Sequence, residues 1–139
     1  MAATAAMVTR LRRMIDEPAL DPYTDDVLEG YIETYPLIDV LGTDPLEVDF
    51  TTTPPTVSER DDWIPTYDMN SAAADVWEEK AASIAEDYDM TADGSTLQRS
   101  KRFEQYTKKC RYFRSRRSVK TITMLEEPRM SPDREIVND

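Results

Sequence analysis

Residues 70–117 read NSAAADVWEEKAASIAEDYDMTADGSTLQRSKRFEQYTKKCRYFRSRR, and this stretch decides the fold. In its first half Ala72, Val76, Trp77, Ala81, Ile84, Ala85 and Tyr88 recur so as to share one side of a helix that opens at Asn70 or Ser71 and runs to about Tyr88. Its alanines favour helix and let a second backbone come close. Asp93-Gly94 is a turn signal. Ser95 then opens another helix, in which Phe103, Tyr106, Cys110 and Phe113 repeat at intervals of three, four and three residues. That spacing keeps three rings and a thiol on one face. The two helices are therefore expected to pack through Trp77, Ile84, Phe103, Tyr106, Cys110 and Phe113.

Upstream, Met7, Val8, Leu11, Met14 and Ile15 keep the same periodicity, which predicts a first helix over residues 5–16 that stops before Pro18. The acid-free start MAATAAMVTRLRRMI has some character of an organelle transit peptide, but an amphipathic helix accounts for it better. After PALDPY, Thr24 is placed to cap a second helix, with Asp25 and Asp26 at its positive end. Val27, Leu28, Tyr31, Ile32 and Tyr35 form its apolar face.

Residues 37–69 break this pattern. Pro45, Pro54, Pro55 and Pro65 exclude a helix, while Leu46, Val48 and Phe50 alternate as a short strand does. A loop this long within a small domain is usually functional, or disordered until bound. Beyond the basic helix, SVKTITML is rich in β-branched residues and uncapped, so it reads as an extended segment followed by a polar tail. The expected fold is all-α: a small four-helix bundle over residues 1–117, with a proline-rich loop insert at 37–69 that has room for short strands. An extended C-terminal arm and tail occupy 118–139.

Charge is sorted along the chain. Residues 1–96 carry 22 Asp/Glu against 5 Lys/Arg, residues 97–120 one acid against ten bases, and residues 121–139 five acids against two bases. Opposite fields in one small chain favour head-to-tail association of copies, or docking on a charged partner. With 139 residues and nine prolines the core is small, and gains much from neighbours. Cys110 is the one cysteine, so no internal disulfide forms, which is consistent with a reducing compartment. No apolar run approaches the ~18 residues of a membrane span.

The residues argue against catalysis. There is no histidine, the commonest general base and metal ligand. Gly30, Gly42 and Gly94 are too far apart for a phosphate-binding loop. Asp87, Asp89, Asp93 and Gly94 are spaced partly like a calcium loop, but Gln98 stands where the bidentate glutamate belongs. Asp25, Asp26 and Glu29, or Asp61 and Asp62, read as solvated faces. Cys110 sits on the apolar stripe, where a core thiol is expected. No catalytic, metal or cofactor-binding residue is assigned.

The basic helix allows two readings. Lys101, Lys108 and Arg111 point away from the aromatic stripe, while Arg99, Arg114 and Arg117 flank it. Interleaved aromatics and arginines in RYFRSRR suit a small DNA-binding or regulatory protein. Against that, a chain of pI ≈ 4.5 repels a duplex over the rest of its surface, and no recognition-helix motif is present. The plainer reading is that Arg99, Arg102, Arg111, Arg114 and Arg117 meet acids of this chain or of an adjacent copy.

Together, LRRMIDEP, YTDDVLEGYIETY, AAADVWEEKAASIAEDYD and MTADGSTLQRSKRFEQY form an outline that resembles the head-to-tail adaptor (connector, or head-completion) proteins of tailed double-stranded DNA bacteriophages. The likeness is most specific at 72–117 and looser from Met7 onward. The proline-rich insert is longer than the family leads one to expect. The resemblance implies a virion protein assembled in the host cytoplasm, which forms a ring, typically dodecameric, beneath the portal protein. Such a ring joins the DNA-filled head to a stopper or tail-completion protein. Genomic DNA passes through its lumen without sequence-specific binding, and no membrane or cofactor is involved. On that reading the arm residues Val119, Ile122, Met124 and Leu125 are the expected portal contact. Phe50, Trp63 and Ile64 in the insert would face the stopper or a neighbouring subunit.

Overall fold

The computed structural model describes residues 2–88 and 96–118. In chain order these form α1 (Ala5–Met14), α2 (Asp25–Glu33), the strands β1 (Leu46–Asp49) and β2 (Thr56–Glu59), α3 (Met69–Tyr88) and α4 (Thr96–Ser115). The Thr4 hydroxyl accepts the Met7 N–H at 3.4 Å and caps α1. The helix ends earlier than its apolar periodicity because Asp16 turns left-handed, at φ 56°. The Glu17 N–H then reaches the Arg12 carbonyl at 3.1 Å, which closes a Schellman turn. Thr24 is the N-cap residue of α2, though its hydroxyl makes no capping bond; Asp25 and Asp26 occupy the first turn.

Arg12 holds the connection between these two helices. Its guanidinium binds Asp25 Oδ1 through Nε at 3.0 Å and also donates to the carbonyls of Ala19 (2.6 Å) and Tyr23 (2.9 Å). One planar fork thereby satisfies a carboxylate and several loop carbonyls, which a lysine could not do.

The third helix starts earlier than the sequence suggests, because Asp68 takes the capping position. Its Oδ1 accepts the N–H groups of Asn70 (3.0 Å) and Ser71 (3.2 Å), and its Oδ2 accepts the Ser71 hydroxyl at 2.8 Å. The same Oδ2 accepts the Ser118 N–H at 2.8 Å, so one buried carboxylate ties the start of α3 to the chain leaving α4.

The insert is where the all-α expectation fails. β1 and β2 pair antiparallel, with Leu46 opposite Glu59, Glu47 opposite Ser58, Val48 opposite Val57 and Asp49 opposite Thr56. The alternation of Leu46 and Val48 was a genuine strand signal, and Thr56-Val57-Ser58-Glu59 supplies its partner. The fold thus mixes helix with a two-stranded antiparallel sheet. At the tip, Asp49 Oδ1 accepts the Thr51 N–H (2.8 Å) and hydroxyl (2.6 Å), and the Thr56 N–H donates to Thr52 Oγ1 at 3.1 Å. A bridge between Pro36 and Tyr67 closes the base, with Leu37 N–H on Thr66 O (2.8 Å) and Asp68 N–H on Tyr35 O (2.9 Å).

A single four-helix bundle core is also not what forms. Buried residues fall into two clusters on different sides of α3. On one side Ala72, Ala73 and Val76 meet Val8, Leu11, Ile15, Leu28 and Ile32, together with Trp63 and Tyr67 from the insert. On the other, Ala74 and Trp77 meet Cys110, with Tyr106 and Phe113 packed beside them. Alanine on both faces explains how α3 is flanked so closely, and α4 approaches α3 alone among the helices.

Candidate functional site

Two surfaces stand out once the core is accounted for: the outside of α4 with its seam against α3, and the insert. The inner side of α4 is satisfied within the chain. Trp77 is the hinge of this contact: its indole N–H donates to the Met14 carbonyl at 3.2 Å, and its ring lies 5.1 Å from that of Tyr106. Lys80 Nζ sits 4.5 Å and Lys109 Nζ 4.2 Å from its centroid, so two ammonium groups rest on one indole. Lys80 also bonds the Ile15 carbonyl and Glu17 Oε1, both at 2.7 Å, and Lys109 pairs with Asp16. Arg114 pairs with Glu78 and lies 3.9 Å from Asp75.

The expected interfacial arginines therefore divide. Arg114 is engaged by acids of α3, and Arg99 also has a partner within the chain. Lys101, Arg102, Lys108, Arg111 and Arg117 are exposed and enter no ion pair among the described residues. Arg116 stacks 4.3 Å from the centroid of the exposed Tyr112 ring. Several cations that enter no ion pair among the described residues thus lie along α4, and one of them, Arg111, stands at the edge of the seam with α3.

The expected core of this seam holds at Trp77 and Cys110, which are buried, and partly at Tyr106 and Phe113. Phe103 departs from it, with 41 % of its surface exposed, and Ile84 is half-buried. The reason is local. Opposite Phe103, α3 presents Ala81, Ala82 and Ala85, whose methyl groups cannot cover a ring. The result is an open groove of about 330 Å³ floored by Ala81, Ala82, Phe103 and Cys110, with Glu78, Arg111 and Arg114 at its rim. A second hollow of about 250 Å³ continues along Ile84, Ala85, Arg99 and Phe103.

The insert is the opposite in charge and open in structure. Residues 44–62 hold six acids and one base, Arg60, which is itself bonded to Asp62 through Nε and Nη2, both at 2.9 Å. Every hairpin residue is exposed. Cross-strand register puts Leu46, Val48 and Val57 on one face, and Phe50 follows at the tip, 76 % exposed. Ile38, Val40, Leu41 and Ile64 are exposed nearby. Trp63 does not belong to this surface. Its indole N–H donates to the Leu37 carbonyl at 3.0 Å, its ring meets Tyr67 edge-on at 5.4 Å, and it is buried in the core. Phe50 and Ile64 are exposed. Spacing alone gave no sign of Val57, because its own strand, β2, follows two prolines.

Asp39 ties the two ends of the insert to each other. It accepts the N–H groups of Leu41 and Thr43 at 2.8 Å and of Ile64 at 3.0 Å. These bonds, that from Ile64 foremost, hold its carboxyl below the ordinary value of 3.8. Tyr35 is pushed up to about 12, first by its bond to Asp75, then by burial. Burial raises the Cys110 thiol, which keeps it protonated and unreactive at neutral pH.

Among the described residues no group of three His, Cys, Asp or Glu side chains converges as a metal site, and no helix is long and apolar enough to cross a membrane. The calcium-like spacing includes Asp89, Asp93 and Gly94, and the arm residues Val119, Ile122, Met124 and Leu125 follow Ser118; all lie outside the described residues. No protein-family model, curated protein or solved structure matches the chain.

Proposed function

We propose that this protein is a structural assembly subunit, and specifically a head-to-tail adaptor that forms a ring beneath the portal of a tailed bacteriophage. The observation that carries the reading is the separation of unmatched surface. Cations that enter no ion pair among the described residues lie along α4, whereas acids and exposed apolar side chains collect on the insert. A molecule whose complementary surfaces lie on different elements cannot satisfy both by itself. It can do so through identical copies arranged head to tail, which close into a ring if the rotation permits.

The motif resemblance over 72–117 supplies the specific identity of that ring. In this reading the acidic exterior repels duplex DNA and lets it slide through the lumen. The segment 119–125 reaches the portal, and Phe50 and Ile64 face the stopper or the next subunit. Particles assembled without the protein should package DNA and then lose it. Removal of 119–139 should abolish co-sedimentation with portal-bearing capsids while the helical body still melts cooperatively. Stable, filled, tail-bearing particles in the absence of the protein contradict the adaptor assignment.

The exposed row Lys101, Arg102, Lys108 and Arg111 favours one competing reading, a DNA-binding protein. It predicts a gel shift of duplex DNA that weakens steeply with salt and disappears in the Lys108→Glu/Arg111→Glu double variant. Absence of any shift at low salt removes that reading.

A further inference from the structure

We infer that the hairpin of one copy docks in the groove between α3 and α4 of the next. The inference rests on the assembly reading above and specifies its contact. Each surface lacks what the other offers. An isolated two-stranded hairpin is marginal in water, and this one leaves Leu46, Val48 and Val57 uncovered on one face, with Phe50 beyond them. The groove has an apolar floor and room for side chains, about 330 Å³, because small alanines face Phe103 there.

Charge selects the pairing. The insert from 44 to 62 is strongly acidic, and its one base is already bonded to Asp62. The groove is edged by Arg114, which is paired with Glu78 at the same rim, and by Arg111, which enters no ion pair among the described residues and leaves the rim with a surplus positive charge. An apolar centre bounded by opposite charges on the two partners is the ordinary anatomy of a protein interface. Of the large apolar side chains left exposed, most belong to the insert, and Phe103 and Tyr112 belong to α4. Two hairpins would instead bring acid against acid, and two α4 surfaces base against base. The contact is therefore heterologous, between different surfaces of identical chains.

The test uses the full chain with Cys110→Ser, so that introduced thiols react alone. One protein carries Phe50→Cys and another Ala82→Cys; both positions are exposed, and neither touches the core. Each is first checked for an unchanged melting curve. Treated with a short bis-maleimide, the mixture should give a cross-linked dimer that neither protein gives alone, and a chain with both substitutions should give a ladder. Arg111→Glu should weaken association at least roughly tenfold, with partial recovery when Glu47→Lys is added. Oligomers seen by light scattering without a mixed dimer overturn this contact and leave the adaptor reading standing. A chain that stays single and uncross-linked at millimolar concentration overturns it too. A mixed dimer from a protein that filled, tailed particles do not need keeps the contact and removes the adaptor.

Discussion

Asp68 and Asp39 show how much of this structure depends on single carboxylates that accept several backbone bonds. Asp68 caps α3 and holds Ser118. Asp68→Ala should lower unfolding free energy by about 2 kcal/mol, the combined loss of a cap and of a buried side-chain bond, measured by urea titration. Asp68→Asn should restore part of it. Asp39 titrates below its ordinary value of 3.8 in the folded chain, so the stability it contributes is present above that pH and is lost as pH falls through the lower, folded value. Asp49, held down by the Thr51 hydroxyl, and Asp62, held down by Arg60, act in the same direction. Urea midpoints taken from pH 5 to pH 3 should therefore fall, and Asp39→Asn should start lower and fall less over that window. Neither role was legible in the sequence. An aspartate that caps a helix two residues on and one that binds a loop twenty-five residues away look alike until the chain is folded.

At the scale of elements, the helices were readable because their apolar periodicity is long and local, and α3 and α4 lie close to where spacing placed them. The hairpin was half-readable. Leu46 and Val48 gave β1, but β2 lies beyond two prolines, and pairing across them is a tertiary fact. Trp63 illustrates the limit. In sequence it sits in a polar, proline-rich stretch that suggests exposure; in the fold the bond from the Ile64 N–H to Asp39 and the bridge at Tyr67 draw it inward. That correction is measurable. Trp63→Ala should cost about 3–5 kcal/mol, as deletion of a buried indole does. Phe50→Ala should change stability by less than about 0.5 kcal/mol, the usual effect of a surface substitution. Equal effects from the two would contradict their placement. Phe103 teaches the converse: the aromatic repeat was real, yet the alanines opposite it leave its ring in a groove instead of a core.

Over the whole molecule, charge sorting in the sequence survives folding as surface sorting, because the basic residues sit on α4 and the acid-rich stretch 44–62 on a separate hairpin. Internal pairing removes part of the basic surplus, through Arg114 with Glu78 and Lys109 with Asp16, but leaves Lys101, Arg102, Lys108 and Arg111 without an ion pair among the described residues. The central claim is that sibling chains supply the missing carboxylates. Sedimentation equilibrium of the purified full chain, across a salt series from about 0.05 M to 1 M, tests it most directly, since exposed charge pairs weaken as the Debye length shrinks. The account predicts particles of several times 16.0 kDa at low salt that dissociate as salt rises, and a lower mass for Arg111→Glu under the same conditions. A mass of 16.0 kDa at every salt and protein concentration would contradict it.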